Sequence, residues 1–183
     1  MDFLEEGYFY HIFNRGNNKQ DIFFEEENYK YFLRLLNKHI DPVANIYVYC
    51  LLPNHFHLLI QIKEDCSNPS QAFSNFFNSY TKSINKKYNR TGSLFQRPFK
   101  RIRVTDEKYL LQLVTYIHLN PENHGLVKNF ENYVFSSYNS ILEKEDKFIR
   151  SNEIIEWFGD IENYKSVHKK RYFASGNLDP KFE

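Results

Sequence analysis

Along the first 140 residues, hydrophobic positions either alternate with polar ones or recur every three to four residues. Segments rich in β-branched and aromatic residues predict strands over residues 7–13, 43–52, 55–63 and 99–105. Apolar residues at helical spacing predict helices over residues 25–39, 67–88 and 106–119. A tight turn at Pro53-Asn54 makes a hairpin of the second and third strands, and we expect Pro121 to end the last helix.

This order of elements, β-α-β-β-α-β-α, predicts an α+β fold. We expect a ferredoxin-like or RRM-like sandwich in which helices pack on one face of an antiparallel sheet. After Tyr138 the sequence becomes acidic and weakly periodic, with short helices predicted over residues 153–158 and 164–173. The chain is therefore expected to form one domain over residues 1–140, followed by a short C-terminal helical appendage over residues 141–183 of unknown role.

Composition excludes several classes of protein. The chain is 42% hydrophobic and 26% charged, as in ordinary globular proteins, but it has 18 Phe and 14 Tyr. With so many phenols, no tyrosine is a candidate merely because it is present. The two Cys exclude a disulfide framework and a four-thiolate zinc site. No apolar run approaches the roughly 20 residues of a membrane span, and no signal-peptide pattern is present, so we expect a cytoplasmic protein with no membrane partner.

Charge is segregated along the chain, although the formal net charge is only +1. Residues 66–105 contain no Asp or Glu and eight basic residues, so the rest of the chain is acidic. These residues are Lys82, Lys86, Lys87, Arg90, Arg97, Lys100, Arg101 and Arg103. A run of charge is usually a solvated surface, but a basic segment on an acidic body is also typical of a surface that contacts a polyanion.

Two histidines in the third strand are candidates for metal binding. His55 and His57 are two residues apart, so they share one face of the strand about 6.6 Å apart and can converge on one ion. The Phe56 between them points to the other face. Such a pair alone more often lies on a half-exposed strand without a ligand, so the pattern is weak in isolation.

Two polar residues on the last helix form a second candidate pair. Tyr116 and Asn120 are four residues apart and share a helix face, from which His118 is turned away. Structural roles also fit them: Tyr116 as one of many packing aromatics and Asn120 as a helix C-cap.

Four motifs occur in an order that resembles the single-tyrosine HUH transposases. They are NRGN at 14–17, LPNHFHLLI at 52–60, GSLFQR at 92–97 and YIHLNP at 116–121. The chain is most similar to the REP-associated tyrosine transposases, relatives of small insertion-sequence transposases that act on single-stranded DNA hairpins. The resemblance covers about residues 5–140 and implies the same fold as the order of elements.

The resemblance implies roles for the two candidate pairs. His55 and His57 match the metal-binding histidines, Asn120 the third ligand of Mg²⁺ or Mn²⁺, and Tyr116 the nucleophile. The implied activity is metal-dependent nicking and strand transfer through a 5′-phosphotyrosine. Uncharged ligands leave the ion nearly its full +2 charge for polarising the phosphate. A free phenol, with a pKa of about 10, is a poor nucleophile at neutral pH and depends on that assistance and on alignment.

Residues of the first turn and of the basic segment are expected to contact DNA. Arg15 can read a guanine edge, although the turn can equally be a plain loop. The expected DNA-binding residues are Asn14, Arg15, Gly16, Lys82, Lys86, Lys87, Arg97, Lys100, Arg101 and Arg103. Related proteins usually carry small or basic residues where this chain has PENHG at 121–125, which puts Glu122 near the expected DNA path.

Two other functions stay open from the sequence. One is a non-catalytic protein that binds hairpin DNA or RNA and descends from a transposase, although binding alone needs neither Tyr116 nor the two histidines. The other is a small-molecule metalloenzyme such as a zinc hydrolase, which leaves the basic segment without a purpose. The target hairpin and the oligomeric state, homodimer or monomer, also stay open.

Overall fold

Four strands form one antiparallel sheet in this computed structural model, which describes residues 3–144 and 148–170. The strands are β1 (Phe9–Arg15), β2 (Ala44–Leu52), β3 (His55–Ile62) and β4 (Lys100–Arg103). The α-helices within the described ranges are α1 (Glu26–His39), α2 (Pro69–Lys87), α3 (Glu107–Asn123), α4 (Ser137–Glu143), α5 (Ser151–Trp157) and α6 (Ile161–Lys170). The α+β class and the antiparallel sheet are confirmed.

The strand order is β2-β3-β1-β4, which places β1 and β3 at the centre. Each pair is antiparallel, as in a split β-α-β arrangement. In the β1–β3 register, Phe13 lies opposite His57 and Arg15 lies opposite His55. This register brings the end of the first strand beside the start of the third, where the candidate histidines are.

Helices cover both faces of the sheet. α1 and α2 lie on one face, as predicted, where the Phe56 ring packs 5.0 Å from Phe32 of α1. α3, which was expected on the same face, lies instead on the opposite one, where the Tyr116 ring is 5.5 Å from His57. Successive strand residues point to opposite faces of the sheet. A strand with apolar residues on both faces is therefore buried only when helices pack against both faces. Nearly every residue of β2 and β3 is buried, because helices pack against both faces of these strands.

α3 continues beyond its predicted end. Pro121 does not close the helix, which runs to Asn123. The proline removes one intrahelical hydrogen bond near the C-terminus, but the His124 N–H still donates to the Asn120 carbonyl at 3.0 Å. Asn120 therefore lies inside the helix, one turn from Tyr116.

The C-terminal helices pack against α3 and β2. α4 was not predicted, whereas α5 and α6 correspond to the two short predicted helices, and the end of the second, over residues 171–173, lies outside the described residues. His118 of α3 and His168 of α6 share a buried hydrogen bond of 2.9 Å, so His118 does point away from Tyr116. The domain boundary at 140/141 stays a prediction. None of the helices within the described ranges is long and apolar enough to cross a membrane.

Candidate active site

The two candidate histidines begin β3 and face the same side of the sheet. β3 starts at His55, directly after the turn that joins it to β2. The ring centroids of His55 and His57 are 5.2 Å apart, and the rings are nearly perpendicular, at 86°. Both rings line one cavity of about 100 Å³. The strand periodicity that predicted a shared face is therefore confirmed.

α3 brings Tyr116 to the same cavity and Asn120 beside His55. Tyr116 lines it and is largely buried, with 8% of its surface exposed. Asn120, one turn further, is also buried, and its Nδ2 lies 3.5 Å from the Tyr116 carbonyl oxygen. The Asn120 Oδ1 has no hydrogen-bond partner among the described residues. Residues from β3 and α3, about 60 positions apart in the chain, thus meet at one point.

Burial keeps the imidazoles of this site neutral. It lowers the pKa of His55 to about 4, helped by the nearby charges of His124 and Arg15. The Asn120 amide opposes this shift in the pKa of His55, although its oxygen is not aligned for a hydrogen bond. Burial lowers the pKa of His57 well below its usual range. At neutral pH each ring therefore keeps a nitrogen lone pair that can bind a cation.

His11 of β1 is a site residue that sequence reasoning missed. It is fully buried, its Nε2 lies 2.9 Å from His57 Nδ1, and burial lowers its pKa to about 3. The signal was weak, because His11 sits in an aromatic strand 46 residues before His57. The alternation of β1, which puts His11 on the face of Phe13, could have found it once the β1–β3 pairing was known.

His124 was also missed. It caps the C-terminus of α3, is exposed, and its ring lies 4.9 Å from that of His55. It lies within the five-residue segment in which Glu122 was expected near the DNA path. The structure therefore adds one exposed imidazole ring to the lining of the cavity.

The donor set can be compared with what a metal ion requires. Among the described residues, no three His, Cys, Asp or Glu side chains are grouped to hold a metal ion. His55, His57 and Asn120 instead offer two imidazole nitrogens and one amide oxygen. These fit a divalent cation, because the imidazoles are neutral and the buried Asn120 oxygen lacks a partner that burial normally requires.

The expected DNA-binding residues at the end of β1 and in the turn after it have two different surroundings in the structure. Asn14 is buried and its Nδ2 donates to the Gln96 carbonyl. Gly16 is tightly enclosed, since a Cβ there would lie 2.0 Å from the Gln20 carbonyl oxygen. Arg15 lines the small cavity, and its Nε has no partner among the described residues. Arg15 is thus placed to contact a ligand, whereas the other two hold loops together.

The basic residues of α2 and β4 differ in their exposure to solvent and in their ion pairs, and hence in whether they are free to contact DNA. Lys82 and Lys86 are exposed, whereas Lys87 pairs with Glu25. In the β1–β4 register Lys100 lies opposite Phe13, on the face of His57, and it is exposed.

Other basic side chains of this segment pack on aromatic rings. The Arg101 guanidinium lies 5.1 Å from the centroid of Phe99, and that of Arg103 lies 3.3 Å from the centroid of Tyr8. Arg103 also pairs with Glu5 at 3.5 Å. Both arginines alternate with Lys100 and so face the side of the sheet away from His57. Arg97 is exposed, in the loop before β4.

A larger cavity of about 630 Å³ adjoins the small one. It lies between α2 and residues 92–99, and Asn14 lines both cavities. Its walls include the partly exposed rings of Phe77 and Phe99 and the exposed amides of Asn78 and Gln96. Flat rings beside amide groups suit an unpaired nucleobase.

The chain is similar to known proteins in sequence and in fold. A protein of Haemophilus influenzae named as a REP-associated tyrosine transposase is 29% identical over 106 residues, which cover 52% of this chain and 60% of that protein. A solved structure of a REP-associated tyrosine transposase bound to a REP hairpin shares the fold, with a TM-score of 0.68 and 18% identity. That likeness covers 79% of this chain and 84% of the other.

A family model provides the assignment. The model described as IS200-like transposase matches residues 6–120, which include β1 to β4 and α3 as far as Asn120. The matched region is more than half of the chain and contains each of the four predicted catalytic and metal-binding residues. The chain therefore belongs to the IS200-like transposase family.

Proposed function

We propose that this chain nicks single-stranded hairpin DNA and transfers the cut strand through a 5′-phosphotyrosine on Tyr116. The observation that carries the proposal is that Tyr116 and two neutral histidines line one cavity, with the unpartnered amide oxygen of Asn120 beside His55. Membership of a transposase family supports it independently. Packing alone explains neither the buried imidazoles nor the buried amide oxygen, since burial of a polar group costs free energy that an apolar side chain of similar size avoids.

His55, His57 and Asn120 would hold a divalent metal ion, Mg²⁺ or Mn²⁺. When bound, such an ion polarises the scissile phosphate and offsets the negative charge of the transition state. The protein contributes three uncharged donors, so that charge is not cancelled by carboxylates. Three donors also leave coordination positions for phosphate oxygens and water.

Tyr116 would supply the nucleophile from a rigid helix. Its phenolic oxygen forms a bond to phosphorus while the bond between phosphorus and the 3′ oxygen breaks, and the phenolic proton is balanced by protonation of that 3′ oxygen. The products are a 5′-phosphotyrosine and a free 3′-OH, which can later reverse the step. Burial of Tyr116 within α3 fixes its direction, which favours attack by alignment.

Basic residues near the cavity would guide the DNA backbone. Arg15 lines the cavity, and Lys100 shares the sheet face of His57. Arg97 borders the larger cavity, where partly exposed rings can stack an unpaired base. We therefore propose that the single strand runs from the larger cavity, past Asn14, to Tyr116.

The substrate we propose is a hairpin of the REP kind, in the bacterial cytoplasm and at the nucleoid. The support is the shared fold of a relative bound to a REP hairpin and the similarity to the Haemophilus influenzae protein. The matched region spans only 60% of that second protein, so substrate and activity are proposals for this chain.

The test is incubation of the full chain with end-labelled hairpin single strands and Mn²⁺. We expect a shortened labelled strand on a denaturing gel, with no cleavage in the presence of a chelator. Binding of hairpins without cleavage under any metal condition would contradict the proposal and favour the binding-only protein.

A further inference from the structure

We infer that His11 and Asn54 are positioning residues that hold His57 and His55 in the tautomer with the proton on Nδ1. The inference rests on the proposed metal-binding role of the two histidines and deepens it. A histidine that binds a cation through Nε2 must carry its proton on Nδ1, and a neighbouring acceptor fixes that choice.

For His55 the hydrogen-bond partner determines the tautomer. Its Nδ1 lies 2.6 Å from the Asn54 Oδ1, which is an oxygen and can only accept. The orientation of the amide is fixed in turn, because the Asn54 Nδ2 lies 3.3 Å from the Lys19 carbonyl oxygen and must donate to it. The proton is therefore on Nδ1 of His55, and its Nε2 carries the lone pair.

For His57 the partner is another imidazole. His57 Nδ1 and His11 Nε2 lie 2.9 Å apart in a fully buried contact. Two neutral rings can share one proton in either direction, so the contact alone allows two arrangements. A lone pair on His57 Nε2 requires that His57 Nδ1 donate and His11 Nε2 accept. The inference selects this arrangement.

Packing does not explain a histidine at position 11. The side chain is 0% exposed and stacks between Phe13, at 4.6 Å, and His57, at 5.1 Å. An apolar ring would fill the same space without the cost of burying a polar group. A hydrogen bond that orients His57 gives the buried imidazole a purpose. Together, the two contacts turn both Nδ1 atoms away from the shared cavity.

The direct test is an NMR measurement on the metal-free, full-length chain. Long-range proton–nitrogen correlation spectra of a ¹⁵N-labelled sample at neutral pH distinguish a protonated ring nitrogen from one with a lone pair. Spectra of His55→Gln and His57→Gln variants assign the signals. We expect protonated Nδ1 and unprotonated Nε2 in both rings. A proton on Nε2 of His57 or of His55 would overturn the inference.

Matched substitutions test the consequence for metal affinity. His11→Leu keeps the approximate size and removes the acceptor, whereas His11→Gln places an oxygen where Nε2 lay. Asn54→Ala and Asn54→Asp form the second pair. We expect Mn²⁺ affinity, measured by electron paramagnetic resonance titration, to fall about tenfold to a hundredfold in His11→Leu and Asn54→Ala. The Gln and Asp variants should retain most of it.

Failure of this inference can be told apart from failure of the proposed function. Undiminished Mn²⁺ affinity in a folded His11→Leu variant would overturn the role of His11. If that variant does not fold, the spectra of the wild-type chain decide. A wild-type chain that forms the covalent adduct with His57 in the other tautomer contradicts this inference alone. A wild-type chain that neither binds Mn²⁺ nor cleaves overturns the proposed function and this inference with it.

Discussion

Among the individual residues of the candidate site, Asn120 is the one whose burial is hardest to justify by folding. Its side chain is 1% exposed and its Oδ1 has no hydrogen-bond partner among the described residues. A buried acceptor without a partner costs about 1–3 kcal/mol. The proposed metal site explains why such a cost is tolerated on the face of α3 that carries Tyr116.

Replacing Asn120 by Leu should therefore separate stability from function. The two side chains are similar in volume, and the change removes the unpartnered oxygen at the expense of a weak 3.5 Å contact. We expect the free energy of unfolding to be unchanged or to rise by about 1 kcal/mol, while Mn²⁺ binding and cleavage are lost. Urea denaturation and a cleavage assay measure the two effects. A large loss of stability would mean that Asn120 holds the helix instead.

His55→Ala should abolish metal-dependent cleavage and leave hairpin affinity nearly unchanged. His55 suits this test better than His57, because His55 is only partly buried and its removal leaves no buried imidazole without its partner. His39→Ala, at the end of α1, is the matched control and should cleave like the wild-type chain. Cleavage by His55→Ala at the wild-type rate would remove His55 from the metal site.

The residue types at the site could be predicted from the sequence, but not all of their neighbours. Local spacing placed His55 with His57 on one strand face and Tyr116 with Asn120 on one helix face, whereas their expected roles came from the resemblance to a transposase family. His11 depends on the pairing of β1 with β3, a long-range contact that no local pattern encodes.

Among the elements, α3 is held in place by a directed chain of buried hydrogen bonds. The Tyr164 carbonyl can only accept, so His168 donates through Nδ1 at 2.7 Å. His168 Nε2 then accepts from His118 Nδ1 at 2.9 Å. The other nitrogen of His118, Nε2, lies 2.9 Å from Ser137 Oγ, which also lies 3.2 Å from the Tyr49 carbonyl oxygen. The chain links α6, α3 and α4, and so connects the C-terminal helices to the helix that carries Tyr116.

This chain predicts how stability depends on pH. Burial lowers the pKa of His168 to about 4 and that of His118 well below its usual range. In the unfolded chain both titrate near pH 6.5, so between about pH 4 and 6.5 the unfolded state binds more protons. Stability is therefore fully present above pH 6.5 and is lost as the pH falls, by up to about 1.4 kcal/mol per pH unit for each such histidine.

A single variant checks this dependence. His168→Gln keeps an acceptor for His118 and removes one titrating ring, so the slope of stability against pH should be smaller than in the wild-type chain. Urea denaturation at several pH values between 4.5 and 6.5 provides the slopes. Equal slopes would show that His168 is not held neutral in the folded chain.

The basic residues of the edge strand β4 and of the loop before it should determine how hairpin affinity depends on salt concentration. Replacing Arg97 and Lys100 by Gln should weaken binding to all hairpins, because both are exposed near the cavities. The log–log dependence of affinity on salt should flatten by about 0.7 for each lost contact with a single strand. Arg34→Gln with Lys38→Gln on α1 is the control pair. An unchanged slope would mean that Arg97 and Lys100 face only solvent.

The elements were easier to predict than their arrangement. The strands and the first two helices begin and end within a few residues of the predictions, because turn residues bound them. The extension of α3 past Pro121 was missed, since a proline in the last turn costs only one hydrogen bond. That α3 lies on the opposite face follows from the second apolar face of β2 and β3, a tertiary effect.

For the molecule as a whole, the basic segment and the candidate site lie in one part of the chain, and the C-terminal helices lie in another. The family model covers residues 6–120, and these include the basic segment together with both halves of the candidate site. The described part of the C-terminal segment instead packs on α3 through buried rings, such as His168 against His118 at 5.1 Å. We therefore interpret the C-terminal helices as a support for α3, the helix that carries the proposed nucleophile.

The most direct measurement is the identity of the tyrosine that becomes linked to DNA. The full chain is incubated with a labelled hairpin and Mn²⁺, and the trapped adduct is digested and mapped by mass spectrometry. We predict one adduct, on Tyr116, and its loss in Tyr116→Phe, which removes one hydroxyl and keeps the ring, so that hairpin and Mn²⁺ binding persist. An adduct on Tyr109, Tyr133 or any other tyrosine, or no adduct with any hairpin, would contradict the account.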